Sequence, residues 1–282
     1  MPVPKAFQAL WEPGEARLKT LGFVPITLQG YQVILPPVCD IPAGPFLMGR
    51  AGDPEPVTLA SSSEVLSDTP QFTIASPAYQ MATYPLTVAE YACAVQAGVF
   101  RFYRSTNEWK TILERLDHPF DGLNWTLATV YAAWLSKLTG QDWQVPSEIE
   151  WEKAARSTDG RRYPWGNAWD PSRAHIGNRA FTGTAPIGSS PAGASPYGCQ
   201  DMAGNVWEVT RSINASYPYD AQDGREDQLD DWLQARRERV IRGGSWEDVA
   251  ESGQTTFRYL DDDAYYPCPV GVRLARRKQE NG

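Results

Sequence analysis

Four cysteines and two histidines are the side chains of this 282-residue sequence that could act as nucleophiles or as ligands for soft metals. Thiolates attack electrophiles and bind copper or zinc, and imidazoles act as bases or ligands. Here Cys39, Cys93, Cys199 and Cys268 are far apart, and no C-x-x-C pair occurs. This spacing does not suit a zinc site or the disulfide framework of a small secreted domain. We interpret the cysteines as buried free thiols.

The common motifs of nucleophilic and nucleotide chemistry are also missing. The sequence contains no G-x-S-x-G elbow, no S-x-x-K motif and no glycine-rich nucleotide motif. With only His118 and His175 available, a Ser-His-Asp triad would be accidental. The acidic run 261–263 could act in acid–base chemistry, but adjacent loop carboxylates more often form a solvated or ligand-contacting turn. Residue types alone therefore point to no catalytic mechanism.

Composition indicates a large globular protein rich in loops. Apolar residues make up 42% of the chain, and its 11 Trp, 23 Gly and 23 Pro are all high numbers. The formal net charge of -8 argues against a general nucleic-acid binder, which needs clusters of Lys and Arg. The N-terminus lacks the apolar region of a signal peptide, and no stretch approaches the roughly 20 apolar residues of a membrane span. We expect a soluble, cytoplasmic protein with no membrane insertion.

Local signals predict three helices and several short strands. One helix begins after Thr87, with Glu90 in the capping-box position, and another begins after Ser147 with Glu150 in that position. The longest runs over 124–139 and ends at Gly140. Strands are expected within 23–37, 41–49, 71–74 and 79–82, whereas 157–245 has almost no long periodic segment. These patterns indicate a mixed α+β fold with many loops.

Eight motifs follow one another in order between residues 38 and 275. They are IPAGPFLMG, YPLTVAEYACAV, HPFDGLNWTLATVYAAWL, VPSEIEWEKAAR, YPWGN, YGCQDMAGNVWEV, RVIRGGSW and GVRLA. Together they resemble the formylglycine-generating enzyme, or sulfatase-modifying factor, family. The resemblance implies an α+β, C-type-lectin-like fold with a small twisted antiparallel sheet, two main helices and long ordered loops. It also implies a lead-in at 1–37 packed on the domain, the domain itself at 38–276, and a basic tail at 277–282.

The resemblance implies two enzymatic chemistries, and the sequence departs from both. The family oxidase binds copper(I) with two cysteines shortly after a Gly-Gly-Ser turn, but residues 246–259 read WEDVAESGQTTFRY. The family's sulfoxide synthases hold iron with three histidines, and this chain has two. We expect a protein that is not an enzyme and requires no cofactor. The alternative is a formylglycine-generating-type oxidase or another sulfatase-modifying-factor-like enzyme.

The segment 246–270 is bordered by two of the family's motifs, RGGSW before it and GVRLA after it, while the sequence between them differs from the family's. Aromatic and acidic side chains are mixed there, as in binding surfaces where rigid rings provide area and carboxylates provide direction. The arrangement resembles the variable proteins of bacterial diversity-generating retroelements, whose C-terminal segment is diversified. We therefore expect this segment to bind an unknown protein or small-molecule ligand, and no nucleic acid. A drifted loop on a non-catalytic domain is the alternative.

The candidate ligand-binding residues carry over by position from that resemblance. They are Trp246, Glu247, Asp248, Val249, Glu251, Ser252, Phe257, Tyr259, Leu260, Asp261, Asp262, Tyr265 and Tyr266. The resemblance also implies a calcium site at Asn205 and Glu208, because calcium prefers hard oxygen ligands. The alternative is that Glu208 pairs with a buried backbone donor or an arginine.

Overall fold

Short strands and helices, the first of them over residues 16–20, are joined by long ordered loops in the computed structural model, which describes residues 16–52, 65–100, 106–177, 180–226, 238–261 and 269–277. The other α-helices are α1 (Val88–Gln96), α2 (Thr106–Leu113), α3 (Trp125–Thr139) and α4 (Glu148–Arg156). The strands are β1 (Val24–Leu28), β2 (Tyr31–Leu35), β3 (Val38–Ile41), β4 (Gly44–Met48), β5 (Val65–Leu66), β6 (Phe72–Ser76), β7 (Tyr79–Ala82), β8 (Trp143–Gln144), β9 (Trp207–Ile213), β10 (Arg239–Arg242), β11 (Arg258–Asp261), β12 (Val270–Gly271) and β13 (Ala275–Arg277).

Two small sheets form the framework. One has the strand order β12-β9-β10-β11-β5, with β12 parallel to β9 and the other pairs antiparallel. The other has the order β3-β7-β13-β8 and is antiparallel throughout. The hairpins β1-β2 and β4-β6 complete the pairing. This architecture confirms the predicted mixed α+β fold. Strand β11 lies inside the segment that the sequence presents as a loop.

The predicted helix starts and stops are confirmed. Glu90 receives a hydrogen bond from the backbone of Thr87 at 2.8 Å, and the Thr87 hydroxyl caps the Glu90 amide at 3.2 Å. Ser147 and Glu150 repeat this capping box at the start of α4. Helix α3 ends at Gly140, whose φ of 69° is in the left-handed region that glycine enters without strain. Side-chain caps therefore set the positions of the helices that flank the sheets.

The start of the described chain packs into the main hydrophobic core. Leu18, Phe23, Val33 and Ile34 belong to the same buried cluster as the faces of α1 and α3. The Phe23 ring stacks on Tyr84 with their centroids 5.8 Å apart. None of the helices in the described ranges has the length and apolar character that crossing a bilayer requires.

A group of buried charges attaches helix α4 to the five-stranded sheet. Glu152 accepts hydrogen bonds from the Gly49 amide at 2.7 Å and from Arg156 at 2.8 Å, and it also pairs with Arg242. Glu148 pairs with Arg258, whose Nη2 lies 3.1 Å from a carboxylate oxygen. We call Glu148, Glu152, Arg156, Arg242 and Arg258 the α4 ion cluster. Burial acts to raise the pKa of Glu148, but the charges of Arg258 and Arg242 outweigh it and lower that pKa.

Replacing one carboxylate of the α4 ion cluster should destabilise the protein strongly. Glu152→Gln keeps the shape of the side chain but leaves Arg242 and Arg156 without their shared counter-charge in the interior. Breaking a buried ion pair from one side costs about 3–5 kcal/mol, so urea unfolding should show a loss of that size. Glu114→Gln, at an exposed position, is the matched control and should change stability by less than about 0.5 kcal/mol. A loss at Glu152 no larger than the control's would contradict the assigned role.

Candidate functional site

A tight turn at Gly243 and Gly244 introduces the segment that the sequence marks as a binding surface. Both glycines have positive φ, 96° and 73°, and a Cβ on Gly244 would collide with Ser252. Asp248 closes the turn, because its carboxylate accepts the Ser245 amide at 2.9 Å and also the Ser245 hydroxyl. Burial raises the pKa of Asp248, although the hydrogen bonds from Ser245 act in the opposite direction. The turn is thus held by its own side chains.

The far half of the segment is tied to the sheet by Arg242. Its guanidinium donates to the carbonyls of Thr255 at 3.1 Å, Thr256 at 2.6 Å and Phe257 at 2.7 Å. The chain then enters β11, which lies between β10 and β5. Residues 255–261 are therefore part of the framework.

Five predicted ligand-binding side chains lie in the interior. Asp248, Ser252, Phe257, Tyr259 and Leu260 are each 9% exposed or less. The rings of Phe257 and Tyr259 pack against Trp207, with centroids 6.0 and 5.2 Å away. Both faces of β11 are covered, so aromatic residues that suggest a binding surface in the sequence are core residues. In this conformation, a ligand at the surface would not touch these five side chains.

The remaining predicted residues divide into three groups. Glu251 is exposed, and Trp246, Glu247 and Val249 are partly exposed around the same turn. Asp261 ends β11. Asp262, Tyr265 and Tyr266 lie outside the described residues. We call Trp246, Glu247, Val249 and Glu251 the turn surface.

Aromatic residues of the segment 163–169 border the turn surface. Trp165 stacks on Tyr163 at 5.3 Å and contacts Trp169 at 5.8 Å, and both indoles are partly exposed. Trp169 lies 3.8 Å from where a Cβ on Gly253 would be, which places it directly beside the end of the turn. The signal in the sequence is the density of rings in YPWGNAW, residues 163–169.

A second aromatic contact approaches the turn from the other side. Phe181 is 38% exposed, and its ring packs over Gly177 and against His175, whose ring centroid is 4.0 Å away. The Gly177 amide donates to the Trp246 carbonyl at 3.2 Å. The turn surface is therefore flanked by exposed rings on the segments 163–169 and 175–181. Such rings can contact a ligand at low entropic cost.

The two residues proposed for calcium have protein partners. The Asn205 amide accepts from the Ala185 backbone at 2.9 Å and donates back to it at 3.1 Å. Glu208 accepts from Trp151 Nε1 at 2.6 Å and pairs with Arg273 at 2.8 Å. Arg273 is a partner of the kind expected from the alternative interpretation, in which Glu208 pairs with a buried backbone donor or an arginine. Among the described residues, no three acidic, histidine or cysteine side chains form a group that could hold a metal ion.

The structure also brings two cysteines together. Cys39 is partly exposed on β3, Cys199 is buried in the loop before β9, and the two thiols share a hydrogen bond. Cys93 is buried, as the sequence predicts, and Cys268 lies outside the described residues. The sequence does not reveal that Cys39 and Cys199 are neighbours, because neither local spacing nor periodicity relates residues so far apart in the chain. Unlike the family's copper ligands, these thiols belong to β3 and the loop before β9, not to the segment after the glycine turn.

The chain is similar both to proteins that are named as enzymes and to proteins that are named as inactive. It is 36% identical over 151 residues to the inactive C-alpha-formylglycine-generating enzyme 2 of Bos taurus, covering 50% of this chain and 42% of that protein. It is 29% identical over 265 residues to the hercynine oxygenase of Mycolicibacterium thermoresistibile, covering 82% of this chain and 56% of that protein. The chain thus spans about half the length of these relatives.

Two solved structures have the same fold. PvdO from Pseudomonas aeruginosa matches with a TM-score of 0.67 at 20% identity, over 90% of this chain and 98% of that one. Treponema denticola variable protein 1 matches with a TM-score of 0.65 at 19% identity, over 91% and 99%. These neighbours confirm the formylglycine-generating-enzyme type of C-type-lectin-like fold. The model of the sulfatase-modifying factor enzyme 1-like domain matches residues 31–278, so the chain belongs to that family.

Proposed function

We propose that this protein is a non-catalytic ligand-binding protein that presents a diversified surface on the turn at 246–251. The observation that carries the proposal is the mixture of buried and surface positions within one short segment. Asp248 and Ser252 are buried in it, whereas Glu247 and Val249 are partly exposed and Glu251 is exposed. A surface that must change its contacts without losing its fold requires such a division.

The metal-binding side chains that the enzymatic alternative requires are missing from the sequence positions where the family has them. Members of this family are named both as enzymes and as inactive proteins, so membership does not decide the activity. A formylglycine-generating-type oxidase would need two thiolates after the glycine turn, and residues 246–259 contain none. An iron site of three histidines would need one more histidine than this chain contains.

The turn surface and its neighbours fit a protein or small-molecule ligand. The partly exposed Trp165, Trp169 and Trp246 offer flat apolar area, and Glu247 and Glu251 add negative charge beside it. Aromatic rings next to polar groups are typical of adaptable binding surfaces. Negative charge at this point, together with the net charge of -8, disfavours nucleic acid.

Substitution at the exposed positions of the turn should leave the fold intact. Glu251→Ala removes an exposed side chain, and the free energy of unfolding in urea should change by less than about 0.5 kcal/mol. Asp248→Ala, three residues away, is the control, since it leaves the buried Ser245 amide without its acceptor. That change should cost about 1–3 kcal/mol. If Glu251→Ala destabilises the protein as much as Asp248→Ala does, the turn surface is structural and the proposal fails.

Sequencing the gene's locus tests diversification directly. We expect a nearby reverse transcriptase gene and a template repeat that matches codons 246–272 except at adenines. Differences should fall on exposed positions such as Glu247, Val249 and Glu251, and the codons for buried Phe257 and Tyr259 should be invariant. Absence of both the repeat and the reverse transcriptase would contradict diversification and leave a non-diversified binding domain.

We also propose that the fold does not require calcium. Asn205 and Glu208 have their side-chain atoms committed to Ala185, Trp151 and Arg273. A chelator such as EDTA should therefore leave the melting temperature unchanged, and added calcium should not raise it. A calcium-dependent rise would contradict this, because an ion that binds only the folded protein stabilises it by mass action.

A further inference from the structure

The Cys39 and Cys199 thiols meet where the four-stranded sheet contacts the loop before β9. Strand β3 places Cys39 opposite Met81 of β7, and the Cys39 sulfur lies 3.4 Å from Thr83 Oγ1. The Gln200 amide donates to the Thr83 carbonyl at 2.8 Å, which holds the neighbour of Cys199 against the same residue. A Cβ on Gly198 would lie 3.5 Å from the Cys39 sulfur. Thr83 and the backbone of 198–200 therefore hold Cys39 beside Cys199, and the two residues pack in the same apolar cluster.

The two thiols have opposite electrostatic environments. The hydrogen bond from Cys199 lowers the pKa of Cys39 to about 6 against the effect of burial, and Thr83 and the charge of Arg273 act in the same direction. Cys199 donates that hydrogen bond from the interior, and its pKa is raised well above the usual value. At neutral pH, Cys39 is therefore the thiolate and Cys199 the protonated partner. Cys93 is a natural contrast, since burial raises its pKa to about 12.

We propose that Cys39 and Cys199 form a redox-active dithiol that hydrogen peroxide converts to a disulfide. In the first step, the Cys39 thiolate attacks one peroxide oxygen, the O–O bond breaks, and protonation of the leaving oxygen gives water and a sulfenic acid. In the second step, Cys199 attacks the Cys39 sulfur, the S–S bond forms, and the S–O bond breaks with loss of a second water. The two thiols lose two electrons and two protons in total, and the peroxide is reduced to water.

Each cysteine is suited to one of these steps. Cys39 is partly exposed, so a small peroxide reaches its sulfur, and a thiolate is the reactive form. Cys199 is buried beside it, so it is protected from direct oxidation and lies close enough to resolve the sulfenic acid. A disulfide bond requires the two sulfur atoms to approach to about 2.0 Å. Because Cys39 is partly exposed, its side chain has room to make that shift.

The disulfide would fix a loop that supports the glycine turn. The loop contacts the turn at two points. The Asn205 carbonyl accepts a hydrogen bond from the Trp246 amide at 3.2 Å, and the Gly204 amide donates to the Gly243 carbonyl at 2.8 Å. Cys199 lies in that same connection between residue 195 and β9. Oxidation would therefore attach the support of the turn covalently to β3.

The test treats the folded full chain with hydrogen peroxide at pH 7 and maps its cysteines by mass spectrometry. All proteins carry Cys268→Ser, so that a cysteine outside the described residues cannot contribute. We expect the loss of two free thiols, a mass loss of two hydrogen atoms, and one cross-linked peptide pair containing Cys39 and Cys199. Thiol reductant should reverse the change.

Variants separate the two roles. Cys199→Ser should stop at the Cys39 sulfenic acid, which dimedone traps, and Cys39→Ser should give neither product. Cys93→Ala is the matched control and should still form the disulfide. Alkylation of Cys39 should slow about tenfold for each pH unit below its pKa of about 6, because only the thiolate reacts.

Two results would overturn the proposal. One is a folded protein, verified by circular dichroism, in which Cys39 is oxidised without a cross-link to Cys199. The other is a cross-link that forms only in urea, when the chain is unfolded. Because the wild-type cysteines are mapped directly, the proposal stays testable even if a serine variant fails to fold.

Discussion

The pairing of Glu148 and Glu152 with Arg242 and Arg258 is the interaction on which the rest of the structure depends. These four side chains have almost no exposure, so each charge is stable only while its partner is present. Because the carboxylates belong to α4 and the arginines to β10 and β11, the pairs fix the helix against the five-stranded sheet. In a domain with few long helices and strands, these ion pairs provide a directional contact, which apolar packing alone does not provide.

The same arginines decide where the chain is free to vary. Arg242 holds the carbonyls of residues 255–257, and Arg258 donates to the carbonyls of Ser67 at 2.7 Å and Ala215 at 2.9 Å. Every segment that these groups contact is fixed in position as long as the carboxylates stay charged. The turn surface lies between Ser245 and Ser252, beyond the reach of either guanidinium. Glu251 is exposed there, so its side chain can change without removing a partner from the interior.

Local signals predicted helices α1, α3 and α4 but not α2, and non-local contacts account for much of the rest that the sequence does not show. Thr87 with Glu90, and Ser147 with Glu150, carry their caps within four residues, so the sequence alone contains the information. Strand β11 depends on pairing with β10 and β5, and the burial of Tyr259 follows from that pairing rather than from its neighbours. Aromatic residues in a short polar segment have the same pattern whether they face a ligand or a core.

Arg273 connects the buried framework to the thiol pair. Its guanidinium pairs with Glu208 of β9 at 2.8 Å and donates to the carbonyls of Ala82 at 2.9 Å and Gln200 at 2.6 Å. The cation that compensates Glu208 thus also borders Cys39 and Cys199, where it favours the thiolate. Arg273 compensates the buried Glu208, and its remaining donors organise the loops around it. The environment of Cys39 is a consequence of that pairing, because the donors that hold Thr83 and Gln200 in place also bring positive charge to the sulfur.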